Sequence, residues 1–413
     1  MKVLVIGNGG REHALAKALA RDPEVEEVHA APGNPGIAAV AQLHPVDPLD
    51  PHAVADLAIE LEVDLVVVGP EAPLVAGVAD VVRRRGVDCF GPGQDAAQIE
   101  GSKAFAKDVM AAAGVPTAMA RVCETESEAA EALDAFGTPY VVKDDGLAGG
   151  KGVIVTDDRD AALAHAVACD RVVIEEYLDG PEVSVFGICD GTRVLPMQPA
   201  QDFKRLGDGD RGPNTGGMGA YTPLPWAPPD LVDDVVARVI QPSVDELARR
   251  GTPFVGVLYA GLALTSRGTR VVEFNARFGD PETQPLLELL ESPLGQVLLA
   301  AATGRLDEIE PLRWRDESAV AVVMAAAGYP SSPRSGDRIT GIEDAESQGV
   351  SVMHAGTTSG SDGLAVSGGR VLAVTATGED LAAARDLAYA GVDAISFEGA
   401  QFRHDIAEAA SRS

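Results

Sequence analysis

Val3-Leu4-Val5-Ile6-Gly7-Asn8-Gly9-Gly10-Arg11-Glu12-His13-Ala14 opens the chain as an apolar run, a glycine turn and the start of a helical pattern. Outward from this unit the alternation continues to about residue 93, with a helical pattern at 12–20 and short apolar runs at 28–30, 64–68 and 87–90. Such alternation predicts a parallel sheet flanked by helices. The backbone N–H groups of the turn and the helix N-terminus make an anion pocket, for which a phosphate is the natural guest. A dinucleotide fingerprint would need a third glycine where Glu12 stands, and an acid ending the second strand where Ala31-Pro32 stands. Binding of NAD is therefore disfavoured. Asn34 in Pro32-Gly33-Asn34-Pro35-Gly36 and Glu71 in Gly69-Pro70-Glu71 follow later strands at the same carboxyl edge, where open sheets of this kind take ligands. Each motif alone reads equally as a turn without a ligand, and only their convergence on one edge is informative.

With 413 residues the chain has room for two or three domains of roughly 150 residues. Thirty-three basic against 63 acidic residues leave a net charge of −30, a field that repels nucleic acid and anionic membranes. The apolar run at 319–327 falls well short of the roughly 18 residues of a membrane span, and the run at 3–6 is too short for a signal peptide core. Cys89, Cys123, Cys169 and Cys189 lie far apart, so neither a zinc site nor a disulfide framework is indicated. The expectation is a cytoplasmic protein with no nucleic-acid or membrane partner. Lysine is scarce: Lys2, Lys17, Lys103, Lys107, Lys143, Lys151 and Lys204 are the full set.

Further along, 96–113 reads as one helix, broken at Gly114-Val115-Pro116-Thr117, and a domain boundary is expected nearby. Residues 117 to about 190 carry β-rich runs around one helical stretch, which suggests a small α+β unit. The Gly/Asp/Pro-rich 206–219 reads as an irregular functional loop. A long helix over 230–250, strands over 254–265 and 270–275 and a loop over 276–282 follow. The last 90 or so residues look like a separate small β-rich domain with a late helix at 379–390.

Lys143-Asp144-Asp145-Gly146-Leu147-Ala148-Gly149-Gly150-Lys151-Gly152 fails the Walker A pattern, because Asp145 takes the first glycine position and Gly152 follows the lysine. A glycine hairpin between strands remains, able to lie over polyphosphate with Lys143 and Lys151 as point charges, or to be a bare flexible turn. Glu273 and Asn275, two apart on a strand, would share one face. A carboxylate and an amide oxygen there suit a hard cation such as Mg²⁺ that also takes phosphate oxygens, although a hydrogen-bonded polar face fits as well. Arg277, just beyond, offers a cationic fork. Lys103 and Lys107, four apart, read as a solvated helix stripe, and His13 as a structural hydrogen-bond donor.

Longer words are more specific: GNGGREHAL at 7–15, PGNPG at 32–36, GPEAPL at 69–74, EGSKAFAK at 100–107, QDFKRLGDGD at 201–210, GPNTGGMGAY at 212–221 and EFNARFGDPETQ at 273–284. Together they resemble the glycinamide ribonucleotide synthetase family of the ATP-grasp superfamily, over essentially the whole chain. The resemblance implies a multidomain α/β and α+β protein: an N-terminal parallel-sheet domain at 1–101, an ATP-grasp domain at 102–320 with a mobile lid at about 117–190, and a small β-rich C-terminal domain at 321–413. It implies a carbon–nitrogen ligase of purine biosynthesis that joins glycine to 5-phosphoribosylamine through a glycyl phosphate, giving glycinamide ribonucleotide, ADP and phosphate.

Carried over by position, the resemblance implies that Gly9, Gly10, Arg11, Glu12, Gly33, Asn34 and Glu71 hold phosphoribosylamine. Lys103, Lys143, Gly149, Gly150 and Lys151 would hold the ATP phosphates. Glu175, Glu176, Tyr177 and Leu178 would form the adenine edge, and Glu182 would take the ribose. Glu273 and Asn275 would ligate Mg²⁺, with Mn²⁺ as a substitute. Asp202, Lys204, Gly216, Gly217, Met218 and Arg277 would surround glycine and its acyl phosphate, with Arg277, Lys143, Asp202 and Lys204 as the catalytic set. ATP, glycine and phosphoribosylamine are then the partners, with transient channelling to neighbouring enzymes of purine biosynthesis. The chain departs from the usual pattern at Asp144 beside Lys143, at Pro293 in Glu291-Ser292-Pro293-Leu294, and at Phe203 in the QDFKR word. Another ATP-grasp ligase or carboxylase and a non-catalytic nucleotide sensor are the competing readings.

Overall fold

The computed structural model describes residues 1–147 and 152–412. Among them, the strands Gln42–Leu43, Glu27–Pro32, Lys2–Gly7, Leu65–Val68 and Asp88–Phe90 form, in that order, a sheet that is parallel throughout. Val3 and Val5 pack into one apolar cluster and Leu4 and Ile6 into another, all four without exposure. A period of two has thus distributed one apolar run over both covered faces, as parallel sheets require. The strand order reverses between Lys2–Gly7 and Leu65–Val68, so the turns that follow these two strands flank the crevice where such sheets bind ligands.

The expected single helix at 96–113 is two, Gln94–Gly101 and Lys103–Ala113. Ser102 lies extended between them and its Oγ accepts the Phe105 N–H at 3.1 Å, capping the second helix. A second antiparallel sheet follows, with strand order Ala120–Cys123, Val172–Glu175, Tyr140–Asp144, Val153–Thr156. The helices Glu126–Phe136 and Arg159–Val167 give it a small apolar core of its own, centred on Leu133, Val142 and Ile174. The strand Glu182–Asp190, which the expected lid range includes, pairs instead with Val194–Pro196 and Val255–Thr265 in a central sheet that ends on Gly268–Asn275.

The expected irregular loop at 206–219 contains a hairpin, Arg205–Gly207 with Arg211–Asn214. Its sequence has little strand propensity, and its pairing is fixed from outside by contacts to residues 403–405. The long helix at 230–250 is continuous but widens to a π turn at Val236–Ile240, just ahead of Pro242, whose ring lacks the N–H for an ordinary turn. The last sheet runs Gln201–Asp202, Gly219–Thr222, Ser318–Ala325, Arg370–Gly378, Ser351–His354. The C-terminal β unit therefore recruits two strands from residues 201–222, and the expected division at 320/321 falls inside the strand Ser318–Ala325. No helix among the described residues is long and apolar enough to cross a membrane.

Candidate functional site

The first glycine turn closes on itself before it meets anything else. The Gly9 N–H donates to Glu12 Oε2 at 2.7 Å, and Arg11 Nε donates to Glu12 Oε1 at 2.6 Å. Glu12 is 2% exposed and braces the turn from within. Gly33 N–H bonds Gly7 O at 3.1 Å, drawing the second turn alongside. Asn34 is also spent internally. Its Nδ2 donates to Asn8 O and His354 O, and its Oδ1 accepts the Gly36 and Ile37 N–H groups. That is the full capacity of an amide, so Asn34 shapes the pocket wall without a group left for a ligand. Gly10 packs closely on the neighbouring segment: a Cβ there would lie 2.9 Å from Gln284 Nε2. The turn is thereby seated against residues 280–284, the end of the 273–284 word.

Arg277 joins this crevice to the next. Its guanidinium lies 3.3 Å from Glu71, 2.8 Å from Glu100 and 3.3 Å from Asn275 Oδ1. Burial alone would lower its pKa, but Glu100 and Glu71 raise it, so the charge is fixed. Burial likewise opposes ionisation of Glu71, yet Arg277 and Arg11 hold its carboxyl below the usual range. Glu100 goes the other way. Burial pushes it up, although it also accepts the Ala276 N–H at 2.6 Å. Sequence reasoning passed over Glu100, which lies at the head of the EGSKAFAK word but has no partner nearby in sequence.

On the nucleotide side, Lys143 is 4% exposed and bonds Glu175 Oε2 and Val272 O, each at 2.9 Å. Lys107 reaches the other oxygen, Glu175 Oε1, at 3.0 Å. Of the stripe expected to be solvated, Lys107 is therefore one member of a buried ion triad with Glu175 and Lys143, and burial lowers its pKa. Glu175, at the expected adenine edge, points its carboxylate at the two lysines. Lys103 bonds Gly146 O at 2.9 Å at the base of the glycine hairpin. Gly149, Gly150 and Lys151 lie outside the described residues. Asp145 anchors the hairpin by accepting from Ser102 Oγ and the Ala104 N–H. Glu176, Tyr177, Leu178 and Glu182 line a cleft of about 860 Å³. A smaller cavity of about 110 Å³, lined by Lys103, Lys107 and Asn275, shares Lys143, Glu175 and Glu273 with it.

In the same cleft, Glu182, Asp202 and Glu273 act on one lysine, Lys204. Lys204 Nζ lies 2.5 Å from Glu182 and 4.0 Å from Glu273. Burial would lower its pKa, but Glu182, Asp202 and Glu273 hold it well above the ordinary value. Burial pushes Asp202 up to about 7, against Lys204 and with Glu282, Glu182 and Glu273 adding to the shift. Glu273 is opposed by burial too, but Lys204, Lys143 and Lys103 keep its carboxyl below the usual range. Glu282 accepts the Tyr259 hydroxyl at 2.7 Å and is 2% exposed.

Glu273 and Asn275 do share a strand face, opposite Gly261 and Tyr259 respectively. Their hard oxygens suit a divalent cation that completes its shell with phosphate oxygens and water. No cluster of three or more His, Cys, Asp or Glu among the described residues could hold a metal ion.

The glycine turn opposite is held from both sides. Gly216 N–H donates to the Tyr329 hydroxyl at 2.9 Å, and Gly216 O accepts from Arg370 at 2.6 Å. Gly217 has φ +110°, and a Cβ there would sit 2.4 Å from Pro281 Cδ. Met218 is fully buried, so its side chain packs the core and only its backbone belongs to the turn. Asp280 and Glu282 were legible as part of the 273–284 word, whereas Tyr329 and Arg370 had no sequence signal.

Family models described as the N domain, the ATP-grasp (A) domain and the C domain of phosphoribosylglycinamide synthetase match residues 1–100, 101–283 and 319–409. The phosphoribosylamine–glycine ligase of Streptomyces coelicolor is 64% identical over the full length of both chains. That of Mycobacterium tuberculosis is 57% identical over 98% of this chain and 97% of its own. The crystal structure of the phosphoribosylamine–glycine ligase from Thermotoga maritima superposes with a TM-score of 0.85 at 34% identity, covering 98% of this chain and all of the other.

Proposed function

The chain belongs to the phosphoribosylglycinamide synthetase family, and we infer from that premise that it is an ATP-dependent carbon–nitrogen ligase joining glycine to 5-phosphoribosylamine in purine biosynthesis. The products are glycinamide ribonucleotide, ADP and phosphate. In the first step a glycine carboxylate oxygen attacks the γ-phosphorus of ATP and ADP leaves. The amine of phosphoribosylamine then attacks the acyl carbon of glycyl phosphate, the C–O bond to phosphate breaks, and the amine loses a proton. No protein nucleophile is needed; the residues orient the reactants and stabilise charge.

The observation that carries this reading is the Arg277 hub. One guanidinium touches Glu71, at the crevice beside the first glycine turn, and Asn275, on the strand face that carries Glu273. The amine donor and the acyl phosphate thus meet at a shared charge. Gly9, Gly10 and Arg11 take the sugar phosphate at the helix N-terminus, and Glu12, Gly33 and Asn34 hold that turn in shape. Lys103, Lys143 and the hairpin residues Gly149, Gly150 and Lys151 take the ATP phosphates, with Lys143 exchanging Glu175 for phosphate. Tyr177 and Leu178 border the adenine, and Glu182 the ribose. Glu273 and Asn275 would hold Mg²⁺, or Mn²⁺ in its place, whose charge when bound offsets that of the phosphates. Asp202, half-buried and poised near neutrality, is placed to take the proton of the attacking amine, and Lys204 to steady the acyl phosphate. Four free cysteines support a reducing, cytoplasmic setting, to which transient channelling with neighbouring enzymes of purine biosynthesis also belongs.

The test is ADP release by the purified protein with Mg-ATP, omitting glycine and freshly prepared phosphoribosylamine in turn. Release that needs both, with an equal amount of glycinamide ribonucleotide, is the expected result. Release indifferent to glycine would move the function to another substrate pair.

A further inference from the structure

Arg403 comes from the C-terminal segment, carries no motif, and is 1% exposed. A buried guanidinium is tolerated only where its donors are largely met, and here four of the five are. Its Nε and Nη2 grip the two oxygens of Asp405 at 2.7 Å each, while Nη1 bonds Asp210 Oδ1 at 2.7 Å and Arg205 O at 3.3 Å. Asp210 is at the tip of the 205–214 hairpin and Arg205 at its start. Its guanidinium carbon also sits 4.8 Å from the centroid of the Phe203 ring, a cation–π distance.

Phe203 is the residue between Asp202 and Lys204. Its backbone is pinned to the sheet, with its N–H on Gly219 O at 3.0 Å and its carbonyl accepting the Met218 N–H at 2.8 Å. Phe203 and Lys204 lie in the short link between the strands Gln201–Asp202 and Arg205–Gly207. The backbone bonds of Phe203 and the contact of its ring with Arg403 thus hold from two sides the segment from which Asp202 and Lys204 line the cleft.

We propose that Arg403 is a positioning residue for the ligation, acting from the C-terminal domain through the Phe203 ring and the 205–214 hairpin to aim Asp202 and Lys204 at the acyl phosphate. The proposal rests on the reading of Asp202 and Lys204 as catalytic. Asp405 accepts the Gly209 N–H at 2.8 Å and so ties the same hairpin a second time. An Arg403 that merely staples two domains would affect stability alone. One that aims the pair must affect turnover in protein that is still folded and still binds ATP.

The experiment compares wild type, Arg403→Met, Arg403→Lys, Phe203→Leu and Asp202→Asn by steady-state kinetics, thermal melting and Mg-ATP binding. A misplacement of about 1 Å costs on the order of 100-fold in rate. Arg403→Met is expected to lose roughly 10- to 100-fold in kcat, with the KM for ATP within about twofold of wild type. Arg403→Lys keeps the charge but not the bidentate fork, and is expected to recover part of the loss. Phe203→Leu leaves every ion pair in place and removes only the ring, so it should lower kcat in the same direction even if Arg403→Met does not fold. Wild-type kcat in folded Arg403→Met and in Phe203→Leu, beside a crippled Asp202→Asn, overturns the positioning role alone. Wild-type turnover in Asp202→Asn overturns the catalytic reading on which the proposal depends.

Discussion

Arg277 has more work than a sequence can assign to it. Next to Glu273 and Asn275 it reads as a phosphate-binding fork, and it is also the counter-ion of Glu71 and Glu100, which come from two other elements. Its removal would leave the two carboxylates without their principal counter-ion. Arg277→Ala should therefore lower turnover by two to three orders of magnitude, about 3–4 kcal/mol of charge stabilisation, and lower the melting temperature as well. Glu273→Gln keeps shape and loses charge, so its turnover should fall by a comparable factor with little change in melting temperature. Near-normal turnover in both variants would falsify the site assignment. Asp202, Lys204, Glu273 and Arg277 stand in rare words and Lys143 in a glycine-rich stretch, which is what singled them out as candidates. Glu100 and Lys107 also stand in a rare word, but their roles did not show there, since each is defined by a partner distant in sequence, Arg277 for one and Glu175 for the other.

At the scale of elements, the sheet of residues 120–175 has its own core and is tied to the rest of the chain by polar contacts, among them Lys143 to Val272 O, Lys107 to Glu175, Lys103 to Gly146 O and Ser102 to Asp145. Such a unit can move as a body, and a water-labile acyl phosphate needs a cover. We propose that it closes over ATP as a lid. Limited proteolysis should cleave within residues 117–190 in the free protein, and Mg-ATP should slow that cleavage at least severalfold. Cleavage at the same rate with and without Mg-ATP counts against closure. The β-rich character of this unit followed from its apolar runs. Its border did not, because the strand Glu182–Asp190 has the same composition and is claimed by the central sheet.

Over the whole molecule, the first and last domains are joined by a pair of histidines. The His354 N–H donates to His13 Nδ1 at 2.8 Å, with the two rings 5.7 Å apart and both nearly buried. His13 was read as a hydrogen-bond donor, and the structure makes its Nδ1 an acceptor, which a protonated ring could not be. Burial, aided by His354 and Lys17, lowers the His13 pKa to about 3, and burial lowers that of His354 to about 4. Unfolded, both would titrate near 6.5. Between 6.5 and the folded values the unfolded chain binds protons that the native chain refuses. Stability from this pair is thus complete above pH 6.5 and is lost on acidification at about 1.4 kcal/mol per pH unit for each histidine. Urea midpoints measured from pH 7 to 5 should fall more steeply in wild type than in His13→Gln. Equal slopes would show that the pair contributes no such linkage.

The amino-acid sequence by itself determined what local pattern and rare words can carry: the parallel sheet at the start, the glycine turns at its edge, the strand face of Glu273 and Asn275, and the kind of reaction. The first three depend on periodicities of two and 3.6 and on side-chain chemistry, which neighbours along the chain set, and the last on the resemblance of the rare words to a known family. Tertiary structure alone decided that Glu12 and Asn34 brace the crevice, that Glu175 pairs two lysines, that 206–214 is a hairpin, and that Arg403 lies behind the Asp202–Lys204 pair. Each of those outcomes rests on satisfying a buried charge or amide with a partner from a distant segment. The requirement is general, but the partner is chosen by packing, and packing is a property of the folded whole.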